Sequence, residues 1–215
     1  MTHPRLTWAL CQIVVRLVRL RVTGRETLPQ TGPVVVACNH LSWIDPFAIV
    51  AALGPRRPVV FLAAREHVER RRALERLLPW LGVVIKVERT SLRQREVLRA
   101  AEAALRGGAC IALFPEGRIN VVAETGQTLL PFEPGAAVIA RRGNVLILPV
   151  AISGSDDLYL GRRISLAIGA PVTPGPTHRS DDETVECLHQ AILAILPPVP
   201  AHGRVRVGRW LGRLA

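Results

Sequence analysis

Residues 34–50, VVVACNHLSWIDPFAIV, decide how the chain is read. Val34 to Cys38 is an apolar run too short for a helix, which marks a buried strand. The chain turns through Asn39, His40 and Leu41. A second apolar segment, Trp43 to Leu53, is stopped by Gly54-Pro55 and predicts a helix. His40 then lies at the carboxyl end of a strand and just before a helix, with Asp45 about one turn later. In open α/β sheets ligands bind at that edge. A neutral imidazole there can take the proton of an attacking hydroxyl, while a carboxylate on its other nitrogen fixes the tautomer and stabilises the imidazolium. A substrate bringing its own hydroxyl needs no nucleophilic Ser or Cys. The same residues also admit a structural reading. Ser42-x-x-Asp45 is a capping-box pattern, Asp45-Pro46 suits an N-cap with Pro at the first helical position, and His40 can be an ordinary loop histidine.

Working outward, 215 residues with 49% hydrophobic content predict one domain with a substantial core. The net charge is +11, and Lys86 is the sole lysine, so arginine carries nearly all the positive charge. Arginine grips phosphate through a planar fork and stays charged when partly desolvated. Nucleic acid, an anionic membrane surface and phosphate-bearing substrates all fit this charge. With four Phe and one Tyr there is no base-stacking series, and no zinc-finger spacing, which disfavours nucleic acid. Cys11, Cys38, Cys110 and Cys187 are scattered without metal-ligand spacing, so free thiols in a reducing compartment and no metal are expected.

No run reaches the roughly 18 apolar residues of a spanning helix. The N-terminus lacks a cleavage signature, so no signal peptide is expected. Residues 5–21, RLTWALCQIVVRLVRLR, instead predict a basic amphipathic helix, either lying on a membrane or docked on the domain's own core. Beyond it, Val22 to Gln30 reads as an edge strand and turn, and Pro58 to Ala64 as a strand. Arg65 to Leu78 reads as a solvated helix of mixed charge, and Leu81 to Val87 as another apolar segment. Ser91-x-x-Gln94 caps a helix to about Arg106, closed by Gly107-Gly108. Arg89, just ahead of it, is placed either to bind an anion or to pair with a neighbouring carboxylate.

Ala109 to Phe114 is a further short strand, breaking into Pro115-Glu116-Gly117-Arg118. If it runs parallel to the strand before His40, both motifs share one rim. Gly117 would admit a ligand close to the backbone, Arg118 would grip an anion, and Glu116 would orient it or bond a hydroxyl; an ordinary turn also fits the tetrapeptide. After a polar excursion over 119–131, Pro134-Gly135 opens a helix to about Arg142. Val145 to Ile152 is a strand whose Pro149 implies an edge or a bulge. Ile164 to Ile168 is the last strand, and Ser180-x-x-Glu183 caps a helix to Leu196. The basic tail, 201–215, is either membrane-touching or disordered.

Together these blocks resemble the glycerolipid acyltransferase family typified by 1-acylglycerol-3-phosphate acyltransferase. The matching residues are Asn39-His40 with Asp45, Gly82 to Arg89, Phe114 to Arg118, Phe132-Glu133-Pro134-Gly135 and Leu148-Pro149-Val150, in order from about residue 22 to 170. The resemblance implies His40 as general base and Asp45 as its partner. It implies Arg89, Glu116, Gly117 and Arg118 as the acceptor's glycerol-phosphate site, and acyl-CoA or acyl carrier protein as donor, with neither metal nor cofactor. One departure is that Arg118 follows Gly117 directly, where the family usually has Thr. The Arg-Ile variant is similar to the acyltransferase portion of the enzyme that reacylates 2-acylglycerophosphoethanolamine, which leaves the headgroup open.

The expectation is therefore a single α/β domain over 22–200, with a mainly parallel or mixed sheet and helices on both faces. A membrane-apposed helix over 1–21 precedes it, and the protein sits at the cytoplasmic face of a membrane, peripheral or monotopic. It would acylate a lysophospholipid, most simply 1-acylglycerol-3-phosphate. Another lysolipid headgroup, or a basic peripheral membrane module without activity, are the alternatives.

Overall fold

The computed structural model describes residues 4–64, 84–87, 91–120, 128–174 and 180–197. In chain order the described elements are α1 (Pro4–Val15), β1 (Arg19–Thr23), β2 (Val35–Cys38), α2 (Asp45–Leu53), β3 (Val59–Ala64) and β4 (Val84–Val87). They continue with α3 (Ser91–Arg106), β5 (Cys110–Leu113), α4 (Gly135–Gly143), β6 (Ile147–Ser153), β7 (Arg163–Ile168) and α5 (Asp181–Ile195). The seven strands form one sheet in the order β1-β7-β6-β2-β5-β3-β4. β2 to β6 all run parallel, β7 is antiparallel to β6, and β1 is parallel to β7. The sheet is mixed with a parallel centre, as expected.

β2 explains why the central strand is an unbroken apolar run. Val34, Val36 and Cys38 point into a core built with α1 and α2. Val35 and Ala37 point into a second core, built with α3, α4 and α5. Both faces of the strand are covered, so its period of two leaves no polar position.

The connections decide where a ligand can sit. From β2 the chain crosses to β3 through α2, on the first face. From the adjacent β5 it crosses to β6 through α4, on the second. Neighbouring parallel strands whose helices diverge to opposite faces leave a crevice between their carboxyl ends. The loops after β2 and β5, which carry His40 and Pro115–Arg118, flank that crevice.

Three expectations change. The helix predicted over 5–21 ends at Val15, and Arg19–Thr23 is a strand whose burial alternates between exposed and half-buried. Alternation of Arg19, Arg21 and Thr23 with Leu20 and Val22 is a period-two pattern that overrides the helical continuation. α1 packs one face on the domain's own core, as the docked reading expected, and leaves the opposite face exposed. Cys11, Val15 and the following Val18 are buried against the core, and Trp8 Nε1–H donates to the Ala51 carbonyl at 3.4 Å. Leu6, Leu10, Ile13 and Leu17 repeat at helical spacing on the other side and are exposed.

Pro149, expected at an edge or bulge, lies in β6, which β2 and β7 flank. Its carbonyl accepts the Gly169 N–H at 2.9 Å, so its nitrogen faces the same side, just past the last residue of β7. The missing donor falls where that ladder ends, and the β2 ladder is untouched.

The capping box expected at the last helix is present: Glu183 N–H donates to Ser180 Oγ at 3.1 Å and Ser180 N–H donates back to Glu183 at 2.9 Å. The helix expected over 65–78, the segment around Arg89 and the tail 201–215 lie outside the described residues.

Gly24 closes β1 at φ 75°, and a Cβ built there would sit 2.0 Å from the Ile168 carbonyl oxygen on β7. Gly24→Ala should cost about 1–3 kcal/mol from the left-handed backbone alone, and more from the clash, with the loss read by denaturant unfolding. Unchanged stability would mean that β1 is not held at this register.

Candidate active site

His40 and Asp45 meet as their spacing suggested. His40 Nδ1 lies 2.9 Å from Asp45 Oδ2, with the imidazole 17% exposed and the carboxylate fully buried. With Asp45 ionised, Nδ1 carries the proton and Nε2 keeps its lone pair. The same Oδ2 accepts the Leu41 and Ser42 N–H groups, each at 2.7 Å. Asp45 opens α2, yet it does not cap it: the position before the helix is Ile44, with no side-chain cap bond. The carboxylate instead reaches back and curls 40–45 around itself, so the capping explanation of Ser42-x-x-Asp45 survives only as the Ser42 contact. Asp45 Oδ1 has no hydrogen-bond partner among the described residues.

The β5 loop holds His40 from the other side. His40 N–H donates to Glu116 Oε1 at 2.9 Å, and Asn120 N–H donates to the His40 carbonyl at 2.7 Å. Both polar groups of the His40 main chain are thus fixed by the loop after the neighbouring strand. Glu116 Oε2 accepts the Leu130 N–H at 2.9 Å, which ties in the segment that returns from the excursion. Expected to orient the ligand, Glu116 is buried and uses both oxygens on main-chain donors. Burial raises its pKa above the ordinary glutamate value. The bonds from Leu130 and His40 and the His40 charge pull it down, and Asp45 adds to the rise.

The ring of Phe114 stacks on that of His40, with centroids 3.8 Å apart and planes 12° from parallel. One imidazole face is thereby covered. On the other flank the Asn39 side chain pairs with β6: Nδ2–H donates to the Ile152 carbonyl at 3.0 Å, and Ile152 N–H donates to Oδ1 at 2.8 Å. Reading the sequence gave no role to Asn39, Phe114 or Asn120. A buried polar residue at the end of an apolar strand must find a partner, a signal that could have singled out Asn39. Nothing in the sequence announced the stacking.

Gly117 adopts φ 69°, the left-handed turn that lets Arg118 emerge, and Arg118 is exposed at the same rim. Arg89 lies outside the described residues. Among those described, no group of three His, Cys, Asp or Glu side chains is placed to hold a metal ion.

A His–Asp pair lies at a switch point, with an exposed arginine on the same rim and, among the described residues, no nucleophilic side chain bonded to the imidazole. The acyltransferase family matches residues 19–153, and the chain belongs to that family. Over 138 residues it is 32% identical to a probable 1-acyl-sn-glycerol-3-phosphate acyltransferase of Mycoplasma genitalium, covering 62% of this chain and 49% of that protein. Over 188 residues it is 28% identical to the human 1-acyl-sn-glycerol-3-phosphate acyltransferase alpha, covering 86% of this chain and 56% of that one. The chain spans about half the length of these curated relatives. The crystal structure of the 1-acyl-sn-glycerophosphate (LPA) acyltransferase PlsC from Thermotoga maritima has the same fold. Its TM-score is 0.70 at 21% identity, over 89% of this chain and 78% of that one.

The raised pKa of Glu116 has a measurable sign. The folded protein holds this proton more tightly than the unfolded chain. The associated stability is fully present below the unfolded glutamate value and is lost as pH rises through the folded one. Glu116→Gln does not titrate there. The wild type should therefore gain thermal stability relative to this variant as pH falls through that window, checked by calorimetric scans at several pH values. A gap independent of pH would contradict the raised pKa of the buried carboxyl group.

Proposed function

We propose that this protein transfers a fatty acyl group from a thioester, acyl-CoA or acyl carrier protein, to the free hydroxyl of a lysophospholipid. The acceptor that the relatives' names favour is 1-acylglycerol-3-phosphate, giving phosphatidic acid. The observation that carries this reading is the 2.9 Å contact between His40 Nδ1 and the buried Asp45 carboxylate. His40 Nε2 takes the hydroxyl proton as the acceptor oxygen attacks the thioester carbonyl carbon. Asp45 stabilises the imidazolium through Nδ1–H, and the stacked Phe114 face attracts the same developing cation. When the tetrahedral adduct collapses, the C–S bond breaks and the imidazolium proton goes to the departing thiolate. Protons and charges balance with neither metal nor cofactor.

The left-handed turn at Gly117, exposed Arg118 and, on the family resemblance, Arg89 are assigned to the acceptor phosphate. Because the hydroxyl that reacts belongs to a lipid, the protein must reach a membrane surface. Among the described residues no helix is long and apolar enough to cross one. The exposed row of Leu6, Leu10, Ile13 and Leu17 on and just beyond α1, flanked by exposed Arg5 and Arg16, is assigned to lipid contact at the cytoplasmic face.

The test is an acceptor panel with purified protein and one acyl donor, comparing lysophosphatidic acid, lysophosphatidylethanolamine and glycerol 3-phosphate. Lysophosphatidic acid should be acylated best, and no turnover of any acceptor would overturn the proposal. His40→Ala should lower kcat by at least about 10²–10⁴-fold while the protein stays folded. Arg118→Ala should reduce kcat/KM for the phosphate-bearing acceptor by about 10- to 150-fold, through a lost charge-assisted contact of about 1.5–3 kcal/mol. If lysophosphatidylethanolamine is preferred instead, the Arg-Ile turn at 118–119 selects a different headgroup.

A further inference from the structure

The connection between β6 and β7, GSDDLYLGR over residues 154–162, carries the most exposed large aliphatic side chain among the described residues, Leu160 at 70%. An isolated exposed leucine is ordinary. Two observations set this one apart.

The first is that its loop is firmly held. Leu158 is buried in the first core. Arg162 is 1% exposed; its Nε–H donates to the Gly154 carbonyl at 3.1 Å and its Nη1–H to Tyr159 Oη at 3.4 Å, with the guanidinium 5.4 Å from the Tyr159 ring centre. Arg162 N–H closes the turn on the Tyr159 carbonyl at 3.0 Å. A buried arginine, bonded through Nε to the main chain and through Nη1 to the Tyr159 hydroxyl, with Nη2 unpartnered among the described residues, spans the turn that lifts Leu160 into solvent.

The second is where the turn sits. Gly161 N–H donates to the Leu17 carbonyl at 2.8 Å, and Arg19 N–H to the Arg162 carbonyl at 2.7 Å. Leu160 therefore stands beside the last member of the exposed row Leu6, Leu10, Ile13, Leu17. Five of the six exposed large aliphatics among the described residues fall in this one region; the sixth, Leu193, is on α5. β6 runs parallel to β2, and Asn39 is bonded to Ile152, so residues 154–162 leave the sheet at the rim that carries His40.

We propose that Leu160 is a second lipid-inserting contact, and that it sets the orientation of the catalytic rim on the bilayer. This rests on the reading of α1 as a lipid-facing helix. A helix laid on a surface is held along a line and remains free to roll about its own axis. A rigid apolar contact off that axis, at the His40 end, stops the roll with the rim against the interface. Because the turn is already ordered, inserting it costs little conformational entropy.

The charges around it suit an anionic lipid surface. Arg16, Arg19 and Arg163 are exposed nearby, and residues 4–25 contain no acidic side chain. The turn itself carries Asp156 and Asp157, so its own contribution is the leucine.

Co-sedimentation of the full chain with vesicles of phosphatidylcholine and phosphatidylglycerol tests this, using Leu160→Ser, Ile13→Ser and the control Leu193→Ser. Leu160→Ser should lower the partition coefficient about 5- to 20-fold, Ile13→Ser should lower it comparably, and Leu193→Ser should leave it unchanged. Turnover of a dispersed short-chain acceptor should be unaffected by Leu160→Ser, while turnover on vesicles falls. If Ile13→Ser weakens binding and Leu160→Ser does not, the second contact is wrong and the α1 reading stands. If neither does, both fall. Equal loss in Leu193→Ser, or a lipid-free dimer that Leu160→Ser dissociates without changing vesicle binding, also overturns the proposal.

Discussion

A single buried oxygen, Asp45 Oδ2, organises the site. A carboxylate removed from water must be compensated locally, and among the described residues its only ionic partner is His40. Two main-chain N–H groups and one imidazole nitrogen converge on that oxygen. The chain from His40 to Asp45 can satisfy it only by wrapping around it at the start of α2, where the helix dipole also favours negative charge. The wrap leaves the imidazole one freedom that matters, rotation about its own bonds. Phe114 restricts it from one face and the Asp45 contact from one edge. Among the described residues Nε2 has no hydrogen-bond partner.

The fold supplies the second half of the constraint. β2 and β5 are adjacent in the sheet although more than seventy residues separate the motifs that follow them, and their helices leave to opposite faces. The two loops therefore meet across the crevice and bond each other directly, Glu116 to the His40 N–H and Asn120 to its carbonyl. This is pre-organisation in a physical sense: the imidazole is placed before any substrate arrives, so a reaction there need not bear the cost of ordering it. Glu116 acts here through the main chain of His40, a reason for a carboxylate in this turn that is distinct from touching the ligand.

Much of this was legible because the signals are local. The strand before His40, the α2 segment, the box at Ser180 and the break at Pro115 each announce themselves within a few residues. Spacing allowed the pairing of His40 with Asp45 but left a capping role open, and the family resemblance favoured the pair. What was hidden depends on neighbours distant in sequence. Whether Arg19–Thr23 continues a helix or joins a strand is decided by β7, more than a hundred residues on. Pro149 was read as an edge marker because its neighbour's end at Ile168 is invisible from the strand itself. The stacking of Phe114 on His40 and the use of both Glu116 oxygens need the sheet order before they can be seen. α1 was ambiguous for another reason: an exposed apolar row and a packing face coexist on one helix, so its composition alone did not say which side would meet the core.

In the proposed reaction His40 and Asp45 act as one unit, with the carboxylate working only through the imidazole. A double-mutant cycle in acyl transfer tests it most directly, comparing kcat for wild type, His40→Ala, Asp45→Asn and the combined variant, each shown to be folded. Strong non-additivity is expected: once His40 is gone, adding Asp45→Asn should change kcat by less than about twofold, inside a scatter of about 0.5 kcal/mol. Losses that multiply in full would contradict it, because Asp45 would then contribute to turnover by a route that does not pass through His40.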